Sequence, residues 1–329
     1  MDEIAEMASN EDRPRRCDGP IGSSELDWSG MTPLQRYLAE EIAVDHADGL
    51  IPRREALRRL GLLGLSGVAA TALLAACADE GARPGGTTAP TTGGSAPAGP
   101  APAATQAITF PGQEGRILQG AFAAAGQPRG GVLVIHENRG LTDHIRSVAG
   151  RLAASGYAAL AIDLLSAEGG TASFADSGQA TAALGQVSTE RFVADMRSGL
   201  DELGRRVPGG KLAAIGFCFG GGMVWQLLAS GEPRLAAAVP FYGPLPAGPD
   251  FGGSKAAAVL GIYAEQDTRI TSGRDAAEAA LTKAGLTHEL VVYPGVNHAF
   301  FNDTGARYDR ATATAAYDKM LAWFGQHLG

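Results

Sequence analysis

From residue 108 onward, short and almost unbroken apolar runs alternate with longer stretches whose apolar residues recur every three or four positions. The runs at 132–136, 157–162, 211–215, 235–241, 259–263 and 289–293 predict strands. Two more, 108–110 and 117–122, flank Pro111-Gly112 and predict a hairpin. A helix is predicted over 143–154, where Ile145, Val148, Ala149 and Leu152 share a face and Gly156 is the stop. Others are predicted from Thr189 to about Arg206, over 220–229, and near 272–285 and 311–327. Strands apolar on both faces, alternating with amphipathic helices, imply an α/β fold: a mostly parallel, doubly wound sheet. In such sheets reactive groups collect at the carboxyl ends of the strands.

Upstream the pattern changes. Residues 1–31 are polar and acidic without an apolar period and predict disorder, with Cys17 an incidental exposed thiol. Thr32-Pro33 reads as an N-cap followed by Pro at the first helical position. Leu34, Leu38, Ile42 and Ala43 then share one face, so a short amphipathic helix is predicted over about 32–45. Next, Arg53-Arg54-Glu55-Ala56-Leu57-Arg58-Arg59 precedes 17 uncharged residues, 60–76. That run is shorter than the roughly 20 strongly apolar residues a spanning helix wants. A basic region, a short apolar run and small residues at its end describe a secretory signal. The paired arginines resemble a twin-arginine signal, with Ala56 where Phe is usual. Leu74-Ala75-Ala76-Cys77 resembles a bacterial lipobox, which makes Cys77 a lipidation candidate. The expectation is export and a tether on the outer side of the cytoplasmic membrane. A packed core helix or an uncleaved anchor is the alternative, as is a cytoplasmic location. Residues 81–105, almost all Gly, Pro, Thr, Ser and Ala, cannot bury enough apolar surface to offset ordering and read as a linker. The predicted division is 1–50 extension, 51–77 signal-like segment, 78–105 linker and 106–329 folded domain.

Composition narrows the chemistry. With 27 Lys plus Arg against 35 Asp plus Glu among 329 residues, the net charge is −8, a poor start for nucleic-acid binding. Three cysteines without a CxxC or Cys/His cluster suggest neither a disulfide framework nor zinc. No metal and no cofactor are expected.

The predicted strand at 211–215 runs into Gly216-Phe217-Cys218-Phe219-Gly220-Gly221-Gly222. This is a small-x-nucleophile-x-small elbow with Cys in the nucleophile place. A sharp strand-to-helix turn leaves no room for side chains two residues either side, and a helix N-terminus favours thiolate. A Gly-rich turn with a buried structural Cys is the competing reading. Asp267 follows one predicted strand and His298 another, giving the order nucleophile, acid, histidine at three strand ends. Alone, Asp267 reads as a surface turn residue. His46, His144, His288 and His327 lack such a context and are expected to be solvated.

His136-Glu137-Asn138-Arg139-Gly140-Leu141, the Cys218 elbow and the loop Tyr293-Pro294-Gly295-Val296-Asn297-His298-Ala299-Phe300 together resemble the dienelactone hydrolase family, over about 108–328. The resemblance implies an α/β-hydrolase fold without a large cap domain. It implies Cys218 as nucleophile, His298 as base and Asp267 as its orienter. Glu137 matches a glutamate that contacts the resting thiol; a salt bridge to Arg139 or Arg146 is the plainer role. The backbone N–H groups of Asn138 and Phe219 match the oxyanion hole. The expected substrate is a small ester or lactone. The family's Ser and Arg after the histidine are missing: Asn302 carries no charge and Asp303 would repel a carboxylate. Arg139, Phe300, Asn302 and Arg307 remain substrate-contact candidates, and 164–186 is expected to form a pocket rim. A thioesterase or acyltransferase on the same residues, and a non-catalytic binding lipoprotein, are the alternative functions.

Overall fold

A computed structural model of the chain describes Trp28 and residues 30–77 and 96–329. The expectations for residues 1–27, Cys17 among them, and for 78–95 concern residues outside that set. Eight strands form one sheet in the order β1-β2-β4-β3-β5-β6-β7-β8. β1 (Gln106–Pro111) and β2 (Ile117–Ala123) are the predicted hairpin, and β2 continues antiparallel onto β4 (Ala158–Asp163). From β4 through β3 (Gly131–Ile135), β5 (Leu212–Phe217), β6 (Leu235–Phe241), β7 (Ala258–Ala264) and β8 (His288–Tyr293), every pairing is parallel. β3, β4, β5 and β7 are buried at every position, as unbroken apolar runs covered on both faces must be. The edge strands β1 and β8 are partly exposed.

Ten helices surround the sheet among the described residues. Three precede it: α1 (Pro33–Ala47), α2 (Arg53–Leu62) and α3 (Gly67–Cys77). α4 (Asp143–Ala154) buries the predicted Ile145, Val148, Ala149 and Leu152. α5 (Ser177–Leu184) was not predicted. α6 (Thr189–Arg206) is capped by Ser188, one residue before Thr189, where the sequence places the cap. α7 (Phe219–Ala229) follows the elbow, and α8 (Thr268–Thr271), α9 (Arg274–Ala284) and α10 (Arg310–His327) complete the set.

The N-terminal helices are packed on the domain. In α1 the Thr32 hydroxyl accepts from the Gln35 N–H while the Gln35 side chain accepts from the Thr32 N–H, a capping box on a Pro-started helix. The apolar stretch 60–76 is two helices, divided by a turn in which Gly64 has φ +97°. Both pack on α1, and α2 reaches α5, where Arg58 pairs with Asp176 at 3.1 Å. Cys77 ends α3 in a buried position. Among the described residues no helix is long and apolar enough to cross a membrane. The final ten residues of the Gly/Pro-rich stretch lie along the domain: Ala98 is buried, and its carbonyl accepts from Arg151 at 2.6 Å.

Candidate active site

Four strand ends on one side of β4 build the site, with β6 standing between β5 and β7. β3 delivers Glu137 and Asn138, β5 delivers Cys218, β7 leads to Asp267 and β8 to His298. Cys218 sits at φ 57°, ψ −120°, a conformation that favours glycine, and heads α7. The flanking glycines are steric necessities. A Cβ on Gly216 would lie 2.1 Å from the Gly220 carbonyl oxygen, and one on Gly220 would lie 2.4 Å from that of Ile135.

His298 Nδ1–H donates to Asp267 Oδ2 at 2.5 Å, and the Asn297 side chain accepts from the His298 backbone N–H at 2.7 Å. The Tyr242 ring stands edge-on to the imidazole, centroids 5.0 Å apart. The other ring nitrogen, Nε2, lies 3.5 Å from a Glu41 carboxylate oxygen, and one ligand atom each of Glu41, Cys218 and His298 all lie within 4.8 Å of one another. Asp267 is therefore a buried partner of an imidazole and not a surface turn residue.

Glu137 is buried, with Oε2 accepting from Asn302 Nδ2 at 2.6 Å. It pairs with neither Arg139 nor Arg146, whose carboxylate neighbours are Asp45 and Asp143. The contact to the thiol comes from elsewhere, the Tyr37 hydroxyl at 3.2 Å. His136 holds the Glu137–Asn138 turn: its Nδ1–H donates to the Glu137 carbonyl at 2.6 Å and its Nε2 accepts from the Leu164 N–H at 3.1 Å. Burial lowers the His136 pKa, which suits a neutral ring in that role. Phe219 is the first residue of α7, so its N–H belongs to the four without an intrahelical acceptor.

A cavity of about 210 Å³ opens on these groups. On the domain side it is bounded by Cys218, His298, Glu137, Asn138, Arg139, Asn302 and Arg307, and on the N-terminal side by Glu41, Asp45 and Leu50. Several expectations need correction here. Phe300 does not face the cavity; it is fully buried against Tyr242 and Tyr293. Residues 164–186 do not line it but brace its floor. Thr171 Oγ1 accepts from the Leu141 N–H at 2.8 Å, and Thr181 Oγ1 donates to the Asn138 carbonyl at 2.7 Å. Asp303 turns away onto His144, so it does not repel a carboxylate in the cavity. His144, expected in solvent, is buried by that pairing, at 3% exposure. Arg307 does face the cavity but is bound to Asp48 at 2.7 Å and Asp45 at 3.0 Å.

Electrostatics decide the resting protonation. Burial and then Glu41 push the Cys218 thiol up, against the opposing pull of His298. The direction is opposite to the thiolate expected from the helix N-terminus. Burial alone would lower His298, yet Glu41 and Asp267 together carry it well above its ordinary value. Glu41, although buried, is held down at about 2 by Arg269, His298 and Arg307. Glu41, Cys218 and His298 are also the candidate metal-ligand set. Arg269 already binds that carboxylate and Tyr37 the sulfur, which leaves the set committed within the protein.

Tyr37, Glu41, Arg269 and Tyr242 were not anticipated at the site. For α1 one signal existed: Tyr37, Glu41, Asp45 and Asp48, spaced four, four and three apart, fall on one helical face.

Sheet order, strand-end placement and elbow together define an α/β-hydrolase. The chain belongs to the dienelactone hydrolase family, whose model matches residues 119–328. It is 36% identical over 212 residues to a Salmonella typhi protein named "Putative carboxymethylenebutenolidase", covering 60% of this chain and 77% of that one. An Escherichia coli K12 protein of the same name is 34% identical over 212 residues, with the same coverages. The crystal structure of a "Putative Dienelactone Hydrolase" from Klebsiella pneumoniae superposes with a TM-score of 0.60 at 30% identity, covering 68% of this chain and 98% of that one.

Proposed function

We propose that the protein hydrolyses a small carboxylic ester or lactone through a Cys218-His298-Asp267 triad and a thioester intermediate. One observation carries the reading. A sulfur raised on a strained elbow lies within 4.8 Å of a nitrogen of an imidazole whose Nδ1 is held by a carboxylate. The arrangement satisfies nucleophile, base and orienter in turn.

In the reaction His298 Nε2 takes the thiol proton, and the sulfur attacks the carbonyl carbon. The N–H groups of Asn138 and Phe219 receive the oxyanion, each worth roughly 3 kcal/mol in comparable sites. Collapse breaks the C–O bond, and the leaving alkoxide takes the proton from His298. Water, deprotonated by His298, then cleaves the thioester to the acid and restores the thiol. Asp267 keeps Nε2 facing the sulfur throughout. The carboxymethylenebutenolidase names of the relatives support a lactone, and the cavity of about 210 Å³ suits a small one.

Cys218→Ala tests the assignment against p-nitrophenyl acetate. The expected loss is at least about 100-fold, with an acetyl mass shift on Cys218 in acid-quenched wild type. Equal rates in the two proteins would remove the nucleophile, and with it the preference over a non-catalytic module. We also propose export through Arg53-Arg54, which are exposed at the head of α2 where a receptor can read them. Replacing both by Lys should hold the protein in the cytoplasm; unchanged export overturns this.

A further inference from the structure

α1 lies where a substrate must go. Tyr37, Glu41, Asp45 and Asp48 form one face of the helix, and all four meet the site. The Tyr37 hydroxyl is 3.2 Å from Cys218 Sγ. A reacting carbonyl needs that same approach, about 3–3.5 Å from the sulfur. One Glu41 oxygen is 3.5 Å from His298 Nε2, the atom that has to accept the thiol proton, and the other pairs with Arg269. Asp45 and Asp48 bind Arg307 at the rim, and Asp45 lies 3.8 Å from Arg139. An acidic helix face is thus matched by three arginines of the hydrolase domain, with the nucleophile and base beneath it.

These contacts hold the chemistry idle. A carboxylate at Nε2 stabilises the imidazolium, which cannot take a proton. A buried sulfur beside Glu41 and Tyr37 stays a neutral thiol. Resting on the triad reading above, we infer that α1 is a built-in inhibitory helix: docked, it occupies the approach to Cys218 and keeps His298 protonated, and turnover by the resting chain comes only from the fraction of molecules in which it has moved away. The helix precedes the Gly/Pro/Thr-rich stretch at 78–105, so one cut there separates inhibitor from enzyme.

The test uses the full chain, and its first variant leaves the Tyr37, Glu41, Cys218 and His298 side chains untouched. In Asp45→Lys/Asp48→Lys, α1 meets Arg307 and Arg139 with like charge. Two readouts are taken: the iodoacetamide alkylation rate at Cys218, resolved from the other cysteines by peptide mass spectrometry, and p-nitrophenyl acetate hydrolysis. Both should rise about 10-fold or more, since like-charge juxtaposition at an interface costs several kcal/mol. Adding Arg307→Glu restores opposite charges and should return alkylation toward the wild-type rate, which also shows that the first variant folded. Glu41→Gln is the second probe and should accelerate alkylation too. Unchanged or slower alkylation in both probes overturns the inhibitory role. So does a fall in ester hydrolysis with faster alkylation in neither, which is what a helix completing the active site would give. Faster alkylation without any ester cleavage would keep α1 as a plug and remove the hydrolase reading instead.

Discussion

The backbone at Cys218 offers a measurement that separates a nucleophile elbow from a quiet Gly-rich turn. With φ 57° and ψ −120°, the residue holds a conformation that costs a side chain of order 1–3 kcal/mol. Cys218→Ala keeps the Cβ and hence the strain, whereas Cys218→Gly removes both. Both variants lose the sulfur and its contact with Tyr37 equally, so their difference reads the backbone. Against the relief stands the extra chain freedom of glycine, roughly 0.5–1 kcal/mol. About 1 kcal/mol remains in favour of Gly. For a domain of this size that is about 2–4 °C in melting temperature. At an ordinary position the order is the reverse. Thermal melts and urea titrations of the two variants, run side by side, read the sign. An alanine variant as stable as the glycine variant, or more so, would refute the claim that strain is stored beneath the sulfur.

Asp267→Asn should keep the fold by circular dichroism yet lower kcat/KM by about 10³-fold or more, because an amide no longer selects the tautomer that aims Nε2 at the sulfur; a rate near wild type removes Asp267 from the mechanism. Gly220→Ala should destabilise strongly or fail to fold, since its Cβ meets the Ile135 and His136 carbonyl oxygens at 2.4 and 2.5 Å. Gly204→Ala in α6, with nothing within 4 Å, should instead stabilise by about 0.5–1 kcal/mol in a denaturant titration. Glu41 gives a pH signature: lowered from 4.5 to about 2 by Arg269, His298 and Arg307 despite burial, it contributes roughly 3 kcal/mol that is present above pH 4.5 and lost as pH falls through 2. The stability difference between wild type and Glu41→Gln should therefore shrink on acidification over that window, and a constant difference contradicts the pairing. His298, raised by Glu41 and Asp267, adds the opposite limb: its contribution is full below pH 6.5 and is lost as pH climbs through the raised value.

What could be read before the structure was whatever lies close in sequence or is buried on both sides. β3, β5 and β7 announce themselves because a strand covered on both faces has no polar positions to blur its run. The elbow is legible because its glycines answer a steric demand within five residues. The helix over 32–45 is legible from its cap and apolar face, but its destination is not. Its other face carries Tyr37, Glu41, Asp45 and Asp48, which look like a solvated surface until Arg269 and Arg307, more than 200 residues on, are placed against them. His144 fails for the same reason, its partner Asp303 lying 159 positions away. Phe300 fails differently. Being next to a functional histidine suggests the pocket, but Ala299 turns the loop at φ 62° and sends both Phe300 and Phe301 into the core.

Two carboxylates stand at the two nitrogens of His298, and both raise its pKa, but they belong to different parts of the chain. Asp267 is fixed by the sheet edge and stays. Glu41 comes with α1 and leaves with it. On leaving, it takes one negative charge from a buried cluster in which Arg269 and the imidazolium remain. An uncompensated positive charge there is expensive, and one proton lost to solvent corrects it: the imidazolium gives up its Nε2 proton and the neutral ring then takes the Cys218 proton, leaving an imidazolium–thiolate pair. The direction agrees with the thiol: Glu41 is one of the groups holding it up, and His298 the one drawing it down. Departure of the helix then does more than open a path for substrate. It transfers the role of counter-ion at Nε2 from Glu41 to the sulfur, converting the resting thiol into the thiolate the reaction needs. Thiolate absorbance near 240 nm, absent in the Cys218→Ala background, should accordingly rise in Asp45→Lys/Asp48→Lys at neutral pH. If alkylation accelerates with no rise in thiolate, α1 blocks by bulk alone and the charge argument is wrong.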